Sequence, residues 1–558
     1  MFGHDFESWF VRLYLIPSTL YTFSADGKTP PSHPMASIAP LVIDALESGI
    51  TTPQELHELK LQYAEHFGVS PPPNSALIAA YRQLVKVGQV KENPAFAKLI
   101  QKRSIRTLSG VSPVAVLTKP MGCPARCVFC PTEENVPKSY LSNEPAVMRA
   151  ILNDYDPYRQ VETRLSALDA NGHPTDKVEL IVMGGTWSAH PKRYQSDYIK
   201  QCLNAMNGTR SRSLDEAQRI NETAKHRCVA IVLETRQDWI DEDEIHRMRK
   251  LGATRIEMGA QTIYDDVLKL VNRGHDVAAT IHATTLLKDA GFKISYHMMP
   301  NLPGATVERD IAMFKELFEN PDFKPDMIKF YPCMVVPFSE LKLWHEQGRH
   351  RPYTDEELLE VILKSKPYFP RYLRVTRLIR DIPATSIIGG SKVSNLRQVA
   401  HERMKKQGIV CQCIRCREIR GNVIDPKQIQ LKTMEYEASG GKEFFLSYDE
   451  MKQDKLCALL RLRFTSYSMT GTPHFIKELE GAALIRELHT YGAQVPISEK
   501  DELASQHMGF GKKLVAEAER IAKANGFKKM AIISGIGIRE YYRKMGYELE
   551  GTYMTKKL

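Results

Sequence analysis

Apolar residues recur with two different periods along the chain, and the period changes near residue 110. Before that point they stand three or four positions apart, which predicts amphipathic helices within a segment spanning 36–108. The first such positions are Ile38, Leu41, Val42 and Leu46. After residue 110, short β-rich runs alternate with longer helical stretches. The chain is therefore predicted to begin with helices and to continue as a multidomain α/β protein.

Six β-rich runs follow residue 110, and helical stretches separate them. They are VAVLTK (114–119), VELIVMGG (178–185), CVAIVLETR (228–236), TRIEMGAQ (254–261), FKISYHMMP (292–300) and MIKFYPC (327–333). Strands connected by long helical segments pair in parallel, so these units predict a partial (β/α)6 barrel over residues 109–385. Reactive groups of such barrels gather at the C-terminal ends of the strands.

A different pattern begins near Ile429 and predicts a separate mixed α+β domain over 429–558. Its elements are EFFLSY (443–448), LCALLRLRF (456–464), AALIRELHTYG (482–492), a helix from 511 to 525 and a last strand, KKMAIISG (528–535). Residues 386–428 are predicted to form a cysteine-rich, metal-binding linker. Residues 1–35 show no sustained period and stay an unassigned extension, with Met35 as a possible true start.

Composition excludes several classes of protein. Hydrophobic residues at 43% and charged residues at 25% are average for globular chains, so disorder, collagen and coiled coil describe the sequence poorly. No run reaches the roughly 18–20 apolar residues of a membrane span, and we expect a cytoplasmic protein with no membrane association. The formal net charge of +10 favours a polyanionic partner.

Six of the ten cysteines fall into two tight clusters, which in a cytoplasmic chain indicate metal rather than disulfides. The first cluster, Cys123, Cys127 and Cys130, directly follows the first predicted strand. Three thiolates on one loop can hold three corners of a [4Fe–4S] cluster and leave the fourth iron open to a substrate. The alternative is zinc, but zinc wants a fourth ligand, and the next cysteine is Cys202.

The second cluster lies in the predicted linker and consists of Cys411, Cys413 and Cys416. Zinc is its predicted metal, with a second iron–sulfur cluster as the alternative. His401 and Cys333 are candidates for the fourth ligand. The cysteines outside both clusters are isolated in sequence, and buried packing is the default expectation for each.

Polar residues and glycines mark the ends of the other predicted barrel strands. They are Gly184, Gly185 and Thr186 after the second strand, Glu234, Thr235 and Arg236 after the third, and Gln261 after the fourth. Charged groups there are costly unless they face a polar site, and glycine lets a ligand approach the backbone closely. We expect these strand ends to line a ligand site.

The last domain carries glycines directly before its long predicted helix. The motif is Gln506-His507-Met508-Gly509-Phe510-Gly511, followed by Lys512. Free backbone N–H groups and the helix dipole attract an anion to such a helix N-terminus, so a pyrophosphate is the predicted ligand. Farther along, Tyr541 and Tyr542 are candidates for core aromatics or for catalytic residues.

Each half resembles a known family. The cysteine spacing after the first strand of a parallel barrel is similar to the radical S-adenosylmethionine superfamily, in which the cofactor binds the open iron and is cleaved to a 5′-deoxyadenosyl radical. This implies cofactor contacts from Lys119, Gly184, Gly185, Thr186, Glu234, Arg236 and Gln261. The second half resembles the acetyl-coenzyme A site of GCN5-related N-acetyltransferases. That implies catalytic Tyr541 and Tyr542 and cofactor contacts from Glu487, Leu488, His489, the run Gln506 to Lys512, and Tyr542.

Together the halves resemble the Elongator catalytic subunit family, from about residue 36 to the end. The signatures include KPMGCP, EPAVMRAILNDYDPY, IYDDVLKLVNRGH, HMMPNLPG, IKFYPC, RELHTYG and ISGIGIREYYRKMGY. The compact cysteine spacing is similar to that of prokaryotic members. The resemblance implies that the enzyme makes 5-carboxymethyluridine at tRNA wobble position 34. It also implies S-adenosylmethionine, acetyl-coenzyme A, an external electron donor and a possible homodimer.

Chemistry also accounts for this pairing of domains. A radical is needed to break an unactivated C–H bond, and an ordinary acetyltransferase has no use for one. The acetyl methyl is such a target, because its radical is conjugated with the thioester carbonyl and can add to the C5=C6 bond of a uracil splayed out of a single-stranded loop. Two alternatives remain: an acetyltransferase for proteins or small amines with a structural iron–sulfur domain, and a tRNA-binding scaffold without catalysis.

Two basic stretches are candidates for tRNA contact. Seven Lys or Arg residues stand between residues 82 and 106 against one acid, Glu92, and eight stand between residues 392 and 420. Such stretches either contact phosphates or form an ordinary solvated face.

Overall fold

The computed structural model describes residues 35–102, 110–420, 425–491 and 509–558. The chain divides into two compact units, one comprising residues 1–107 with 165–175 and the other comprising residues 108–164 with 176–558. Within the described ranges, no helix is both long enough and apolar enough to cross a membrane.

The first unit is helical, as predicted. Its helices are α1 (Met35–Glu47), α2 (Pro53–Phe67), α3 (Asn74–Lys86) and α4 (Pro94–Ile100). Thr52 starts α2 with a capping box, in which its hydroxyl and the Glu55 carboxylate satisfy each other's backbone N–H groups. The periodic apolar positions Leu41 and Val42 are fully buried in the core of this unit.

The second unit contains a sheet of seven parallel strands in the order β1 to β7. The strands are β1 (Ser112–Leu117), β2 (Lys177–Met183), β3 (Arg227–Thr235), β4 (Ala253–Gln261), β5 (Lys293–Met298), β6 (Met327–Phe330) and β7 (Arg374–Arg377). The helices along this stretch are α5 (Pro145–Leu152), α6 (Pro157–Ala170), α7 (Lys192–Asn207), α8 (Leu214–Asn221), α9 (Glu242–Lys250), α10 (Asp265–Leu270), α11 (Val277–Asp289), α12 (Val307–Glu319), α13 (Glu340–Glu346) and α14 (Asp355–Ser365). The residues of α6 from Leu165 onward belong to the first unit.

All six predicted strands are present, but the expectation of six strands was one short. Strand β7 has the sequence RVTR, in which two arginines flank a single buried valine. So short and polar a segment has no apolar run to mark it as a buried strand. The barrel is therefore a partial barrel of seven parallel strands.

The linker contains α15 (Leu396–Gln407) and the short α16 (Ile414–Arg417). The N–H of Ile414 donates to the carbonyl of Leu373, immediately before β7, at 2.8 Å. Glu418 forms a parallel β-bridge with Leu456 of the second sheet. The linker is thus fastened to both neighbouring domains.

The C-terminal domain is a mixed seven-stranded sheet in the order β13-β14-β12-β11-β10-β9-β8. Its strands are β8 (Ile429–Ala438), β9 (Gly441–Glu450), β10 (Lys455–Phe464), β11 (Ala482–Thr490), β12 (Lys529–Ile532), β13 (Glu548–Glu550) and β14 (Tyr553–Lys557), and its helices are α17 (Ser466–Thr470), α18 (Phe510–Ala524) and α19 (Arg539–Arg543). The expectation that KKMAIISG ends the sheet was wrong, because β13 and β14 follow. Both strands are short and largely polar, so the sequence contains no apolar run from which they could be predicted.

This second sheet packs against the N-terminal ends of the barrel strands. Gly535 approaches the Val229 carbonyl so closely that a Cβ on Gly535 would collide with it. Buried ion pairs join the same surfaces: Arg463 to Asp289 at 2.7 Å and Arg486 to Asp326 at 2.6 Å. The second sheet therefore lies at the end of the barrel opposite the cysteine loop.

Candidate active site

The barrel cysteines lie on the loop after β1, at the C-terminal edge of the sheet. Cys127 is buried, and its carbonyl accepts the N–H of Cys130 at 3.1 Å. The Cys123 sulfur lies 3.7 Å from the Thr186 hydroxyl, at the end of β2. Burial raises the pKa of the Cys130 thiol to about 11. The loop thus carries one buried and two half-buried thiols beside the end of the second strand.

The spacing of these thiols differs from that of a single-ion site. Thiolates 2.3 Å from one zinc ion lie about 3.8 Å apart. Among the described residues, the linker thiols all lie within 4.8 Å of one another, whereas the barrel thiols do not meet that spacing. Three thiolates on one loop are also the ligands expected for an iron–sulfur cluster with one open iron.

The predicted strand-end residues face the same edge of the sheet. Gly184 has a φ of 128°, and an added Cβ would strike the Thr118 side chain, so the backbone turn after β2 requires glycine. Arg236 donates to the Arg273 carbonyl at 2.9 Å and forms a two-pronged pair with Asp238. Gln261 adopts a left-handed backbone with a φ of 69°. Lys119 has an exposed side chain, and its N–H donates to the Tyr194 hydroxyl.

Three ionisable side chains that the sequence did not single out meet inside the barrel. The Glu257 carboxylate on β4 accepts from His297 on β5 at 3.1 Å and from Lys329 on β6. His297 also approaches the predicted Glu234 at 3.6 Å, and Tyr140 donates to Glu234 at 2.6 Å. One connected polar network therefore crosses strands β3 to β6.

Electrostatics keep this network charged although it is buried. Burial alone would raise the pKa of Glu257, but Lys329, His297 and Arg255 together hold it well below the ordinary range. Burial would lower the pKa of Lys329, yet the facing Glu257 raises it. A persistent carboxylate and ammonium side by side are suited to holding a polar substrate.

A sequence signal for these residues did exist. His297 and Lys329 stand near the ends of their strands within HMMPNLPG and IKFYPC, and they obey the same rule that singled out Glu234. Glu257 lies in the middle of its strand, so this rule could not identify it.

The polar lining continues from this network toward the second sheet. Arg255 pairs with Glu179 at 2.7 Å and with Glu257 at 3.5 Å. Nearer the second sheet, Lys293 of β5 pairs with Glu487 of β11 at 3.2 Å. Glu487, predicted as a coenzyme contact, therefore directs its carboxylate into the interface with the barrel.

The second sheet opens beside β11. Strand β11 pairs in parallel with β12 only from Ala482 to Ile485, and its register against β10 shifts at Arg486. Beyond that bulge, residues 487–490 pair with β10 but have no partner on their other edge among the described residues. His489 is half-buried here, and its desolvation lowers its pKa to about 4. Bulges and diverging strands are common beside binding sites.

Helix α18 begins at this opening. Its N-cap Gly509 has a φ of 70°, and no acidic residue stands in the first turn, which includes Lys512. A Cβ on Gly511 would lie 2.5 Å from the Tyr541 hydroxyl and 3.8 Å from Leu488. The backbone of Gly511 therefore lies next to the side chains of both Tyr541 and Leu488. Gln506, His507 and Met508 lie outside the described residues.

The two tyrosine candidates lie in different environments. Tyr541 is 37% exposed, and burial of its remainder raises its pKa. Tyr542 is 3% exposed and contacts Tyr547 edge to face at 6.2 Å. The geometry favours Tyr541 as the residue that can reach a ligand at the helix N-terminus.

The linker thiols converge as the sequence predicted. The sulfurs of Cys413 and Cys416 lie 3.6 Å apart, and His401 Nε2 lies 4.0 Å from Cys416. The group of ligand atoms within 4.8 Å of one another contains the three thiols but not His401, so the structure brings together three of the four ligands that zinc prefers. Cys333, the other candidate ligand, packs instead in the apolar cluster that contains Cys127.

Comparison with known proteins agrees with this architecture. Residues 119–317 match the model of the Radical SAM superfamily, and residues 325–406 match the Radical SAM C-terminal domain. The tRNA uridine(34) acetyltransferase of Methanocaldococcus infernus is 48% identical over 88% of this chain and 92% of its own length. The chain belongs to this family. The Elongator complex protein 3 of Schizosaccharomyces pombe is 40% identical over 90% of this chain and 94% of its own length.

A solved structure extends the family likeness to the fold. The archaeal Methanocaldococcus infernus Elp3 with an N-terminal deletion (1–46) is 47% identical and has a TM-score of 0.72. The match covers 81% of this chain and all of that chain.

Proposed function

We propose that this protein is a radical S-adenosylmethionine enzyme that uses acetyl-coenzyme A to form 5-carboxymethyluridine at position 34 of tRNA. The observation that carries the proposal is the pairing of two sites in one compact unit. The cysteine loop lies at one end of the barrel, and the open edge of β11 lies in the sheet packed against the other end. A polar lining runs between the two.

In this proposal Cys123, Cys127 and Cys130 hold a [4Fe–4S] cluster. S-adenosylmethionine bound beside it supplies a 5′-deoxyadenosyl radical. The turn at Gly184 and Gly185 lets the cofactor approach the backbone, and Glu234, Arg236 and Gln261 line the same edge of the barrel. The Lys329–Glu257 pair is placed to hold the polar groups of a substrate inside the barrel.

The second sheet binds acetyl-coenzyme A in the manner of a GCN5-related acetyltransferase. Gly511 and Lys512 offer backbone N–H groups to the pyrophosphate at a helix N-terminus without an acidic first turn. Leu488 and His489 lie on the open edge of β11, and the Tyr541 hydroxyl, which lies beside Gly511, would contact the thioester of a bound acetyl-coenzyme A.

This coenzyme site has its own test. Gly511→Ala places a methyl group against the Tyr541 hydroxyl, so we expect weaker acetyl-coenzyme A binding in calorimetry. Lys523→Ala, at the far end of α18, is the matched control. Equal affinities for both variants and the wild-type chain would remove Gly511 from the site.

Exposed lysines of the first unit are proposed to bind the tRNA backbone. Lys91, Lys98 and Lys102 are all exposed, while Arg103 and Arg106 lie outside the described residues. In the linker, Arg403, Arg415, Arg417 and Arg420 are engaged in ion pairs. The exposed linker residues Lys392, Lys405 and Lys406 are therefore better placed for phosphate contacts.

Isotope transfer tests the proposed reaction. With acetyl-coenzyme A trideuterated at the methyl, and with S-adenosylmethionine, a reductant and tRNA, deuterium should appear in 5′-deoxyadenosine. The new substituent on uridine 34 should keep two deuterons. A Cys130→Ser chain is the matched control and should do neither.

The same experiment separates the alternatives. Transfer of an intact trideuterated acetyl group to a lysine or a small amine, with no label in the nucleoside, would establish the plain acetyltransferase instead. Tight tRNA binding with no turnover of either cofactor would leave a scaffold.

A further inference from the structure

The guanidinium of Arg273 is buried beside the barrel cysteine loop. Arg273 is 7% exposed and follows α10. Its Nη1 donates to the Cys127 sulfur at 3.6 Å, and its Nη2 donates to the Gly259 carbonyl at 2.7 Å. The hydrogen bond to Gly259 fixes the orientation of the guanidinium, so that Nη1 points at the Cys127 sulfur.

This cation lacks an acidic partner in the described part of the chain. The adjacent Asp238 pairs with Arg236 instead, at 2.8 Å. No carboxylate of the described residues pairs with Arg273, and its Nε is buried without a hydrogen-bond partner among them. A buried, unpaired charge is strongly unfavourable. The thiolate of a metal-bound Cys127 would supply the missing negative charge.

The surrounding backbone is shaped to admit the guanidinium. A Cβ on Gly259 would stand 2.8 Å from Arg273 Nη2 and would also strike the Gln261 amide. Arg236 donates to the Arg273 carbonyl at 2.9 Å, which holds the loop against the end of β3. The buried Gln261 Oε1 has no partner among the described residues. The site therefore combines a fixed cation with an unsatisfied acceptor.

We propose that Arg273 is a positioning residue that raises the reduction potential of the cluster held by Cys123, Cys127 and Cys130. A hydrogen bond to a ligating sulfur and a nearby positive charge both stabilise the reduced cluster, which carries one more negative charge. The inference rests on the proposed function only in requiring that these cysteines bind iron.

Redox titration tests this role without any measurement of turnover. Wild-type, Arg273→Lys and Arg273→Gln chains are reconstituted anaerobically with iron and sulfide. The midpoint potential is then followed by electron paramagnetic resonance in the absence of S-adenosylmethionine. We expect the Gln variant to have the most negative potential. The Lys variant should lie between it and the wild type, because it keeps the charge but loses the forked hydrogen bond.

Arg309→Gln is the matched control. Arg309 pairs with Asp266 of α10 at 2.8 Å, on the surface of the same region, and should leave the potential unchanged. If the Gln variant fails to take up iron, the comparison of the midpoint potentials of the Lys variant and the wild type tests the role of Arg273.

The outcomes separate this inference from the proposed function. Equal potentials in wild-type and Arg273→Lys chains, together with an equal potential in any iron-loaded Gln variant, would overturn the role of Arg273. A wild-type chain that takes up no iron would instead contradict the proposed function.

Discussion

The two cysteine triads have the same ligand type and similarly short gaps, but the fold uses them differently. The barrel triad lies on a loop at the C-terminal edge of a parallel sheet, with polar strand ends around it. The linker triad is drawn together beside His401 and is fastened to both domains through Leu373 and Leu456. The barrel loop therefore offers three thiols as candidate ligands, and the linker offers three thiols with an imidazole 4.0 Å from Cys416.

The comparison teaches that the two triads differ in their surroundings rather than in their ligand type. Arg273 and the strand-end residues supply charge and access at the barrel site. At the linker site, Arg417 forms a buried ion pair with Asp449 at 2.7 Å. This pair helps to fix the linker against the second sheet. Because the two triads lie on separate segments, either one can be replaced while the other is kept.

The largest expected effect is the loss of iron from the barrel. Replacing Cys123, Cys127 and Cys130 together with serine should lower iron uptake from about four per chain to about zero, because no cluster corner remains. Metal analysis after anaerobic reconstitution measures it, and the zinc content should stay unchanged. Loss of both metals together would show that the two sites do not act separately.

Removal of the zinc predicted for the linker should destabilise the chain and leave iron binding unchanged. Cys413→Ser with Cys416→Ser breaks a site whose binding free energy is part of the folding free energy, on the order of 10 kcal/mol for structural zinc. We expect a lower Tm in calorimetry, a similar drop in the wild type with a zinc chelator, and unchanged iron uptake. A zinc-free variant with the wild-type Tm would exclude a structural role.

The charge network between the sheets predicts a pH-dependent effect. Burial would raise the pKa of Asp326, but Arg486, Arg461 and Lys288 hold it well below its usual range. The contribution of Asp326 to stability is therefore present above its pKa in the unfolded chain, about 4. It is lost as the pH falls through its pKa in the folded chain. Asp326→Asn removes one of the two carboxylates that pair with Arg486, whose other partner is Glu443, and should cost about 3–5 kcal/mol at neutral pH.

Thermal unfolding at several pH values checks this prediction. The difference between wild type and Asp326→Asn should be largest above pH 5 and should shrink below pH 4. Asp266→Asn, at a partly exposed pair, should cost about 1 kcal/mol or less. A difference that stays constant with pH would show that Asp326 acts through shape alone.

The smallest effect concerns the fourth linker ligand. His401→Ala should weaken zinc retention about 10–100-fold, the size typical of a perturbed metal environment, because water can fill the vacated position. Competition with a chelator measures it, and His345→Ala, on α13 outside the linker, is the control. Unchanged retention would remove His401 from the ligand set.

Periodicity and motif spacing predicted most of the fold, and the missed elements share a physical reason. Strands β7, β8, β13 and β14 are short or carry polar residues on an exposed face, so they lack a buried apolar run. The face that the second sheet presents to the barrel was also beyond prediction, because nothing in the local sequence of Asp289 or Asp326 identifies a partner more than a hundred residues away.

The candidate site was predictable where chemistry is concentrated in a motif. Cysteine spacing and strand-end polarity indicated the barrel site, and glycines before α18 indicated the other. Arg273 and Glu257 escaped because each acts through a partner distant in sequence, Cys127 for one and Lys329 for the other. Tyr541 and Tyr542 are adjacent in sequence, and only packing separates their environments.

Electron paramagnetic resonance of the reduced, reconstituted full chain tests the central claim most directly, with and without S-adenosylmethionine. An open iron at the barrel triad predicts a [4Fe–4S] signal that changes when S-adenosylmethionine is added. That signal should vanish in the Cys123, Cys127, Cys130 triple variant and persist in the linker variant. A signal that does not change when S-adenosylmethionine is added, or one that is lost in the linker variant, would contradict the account.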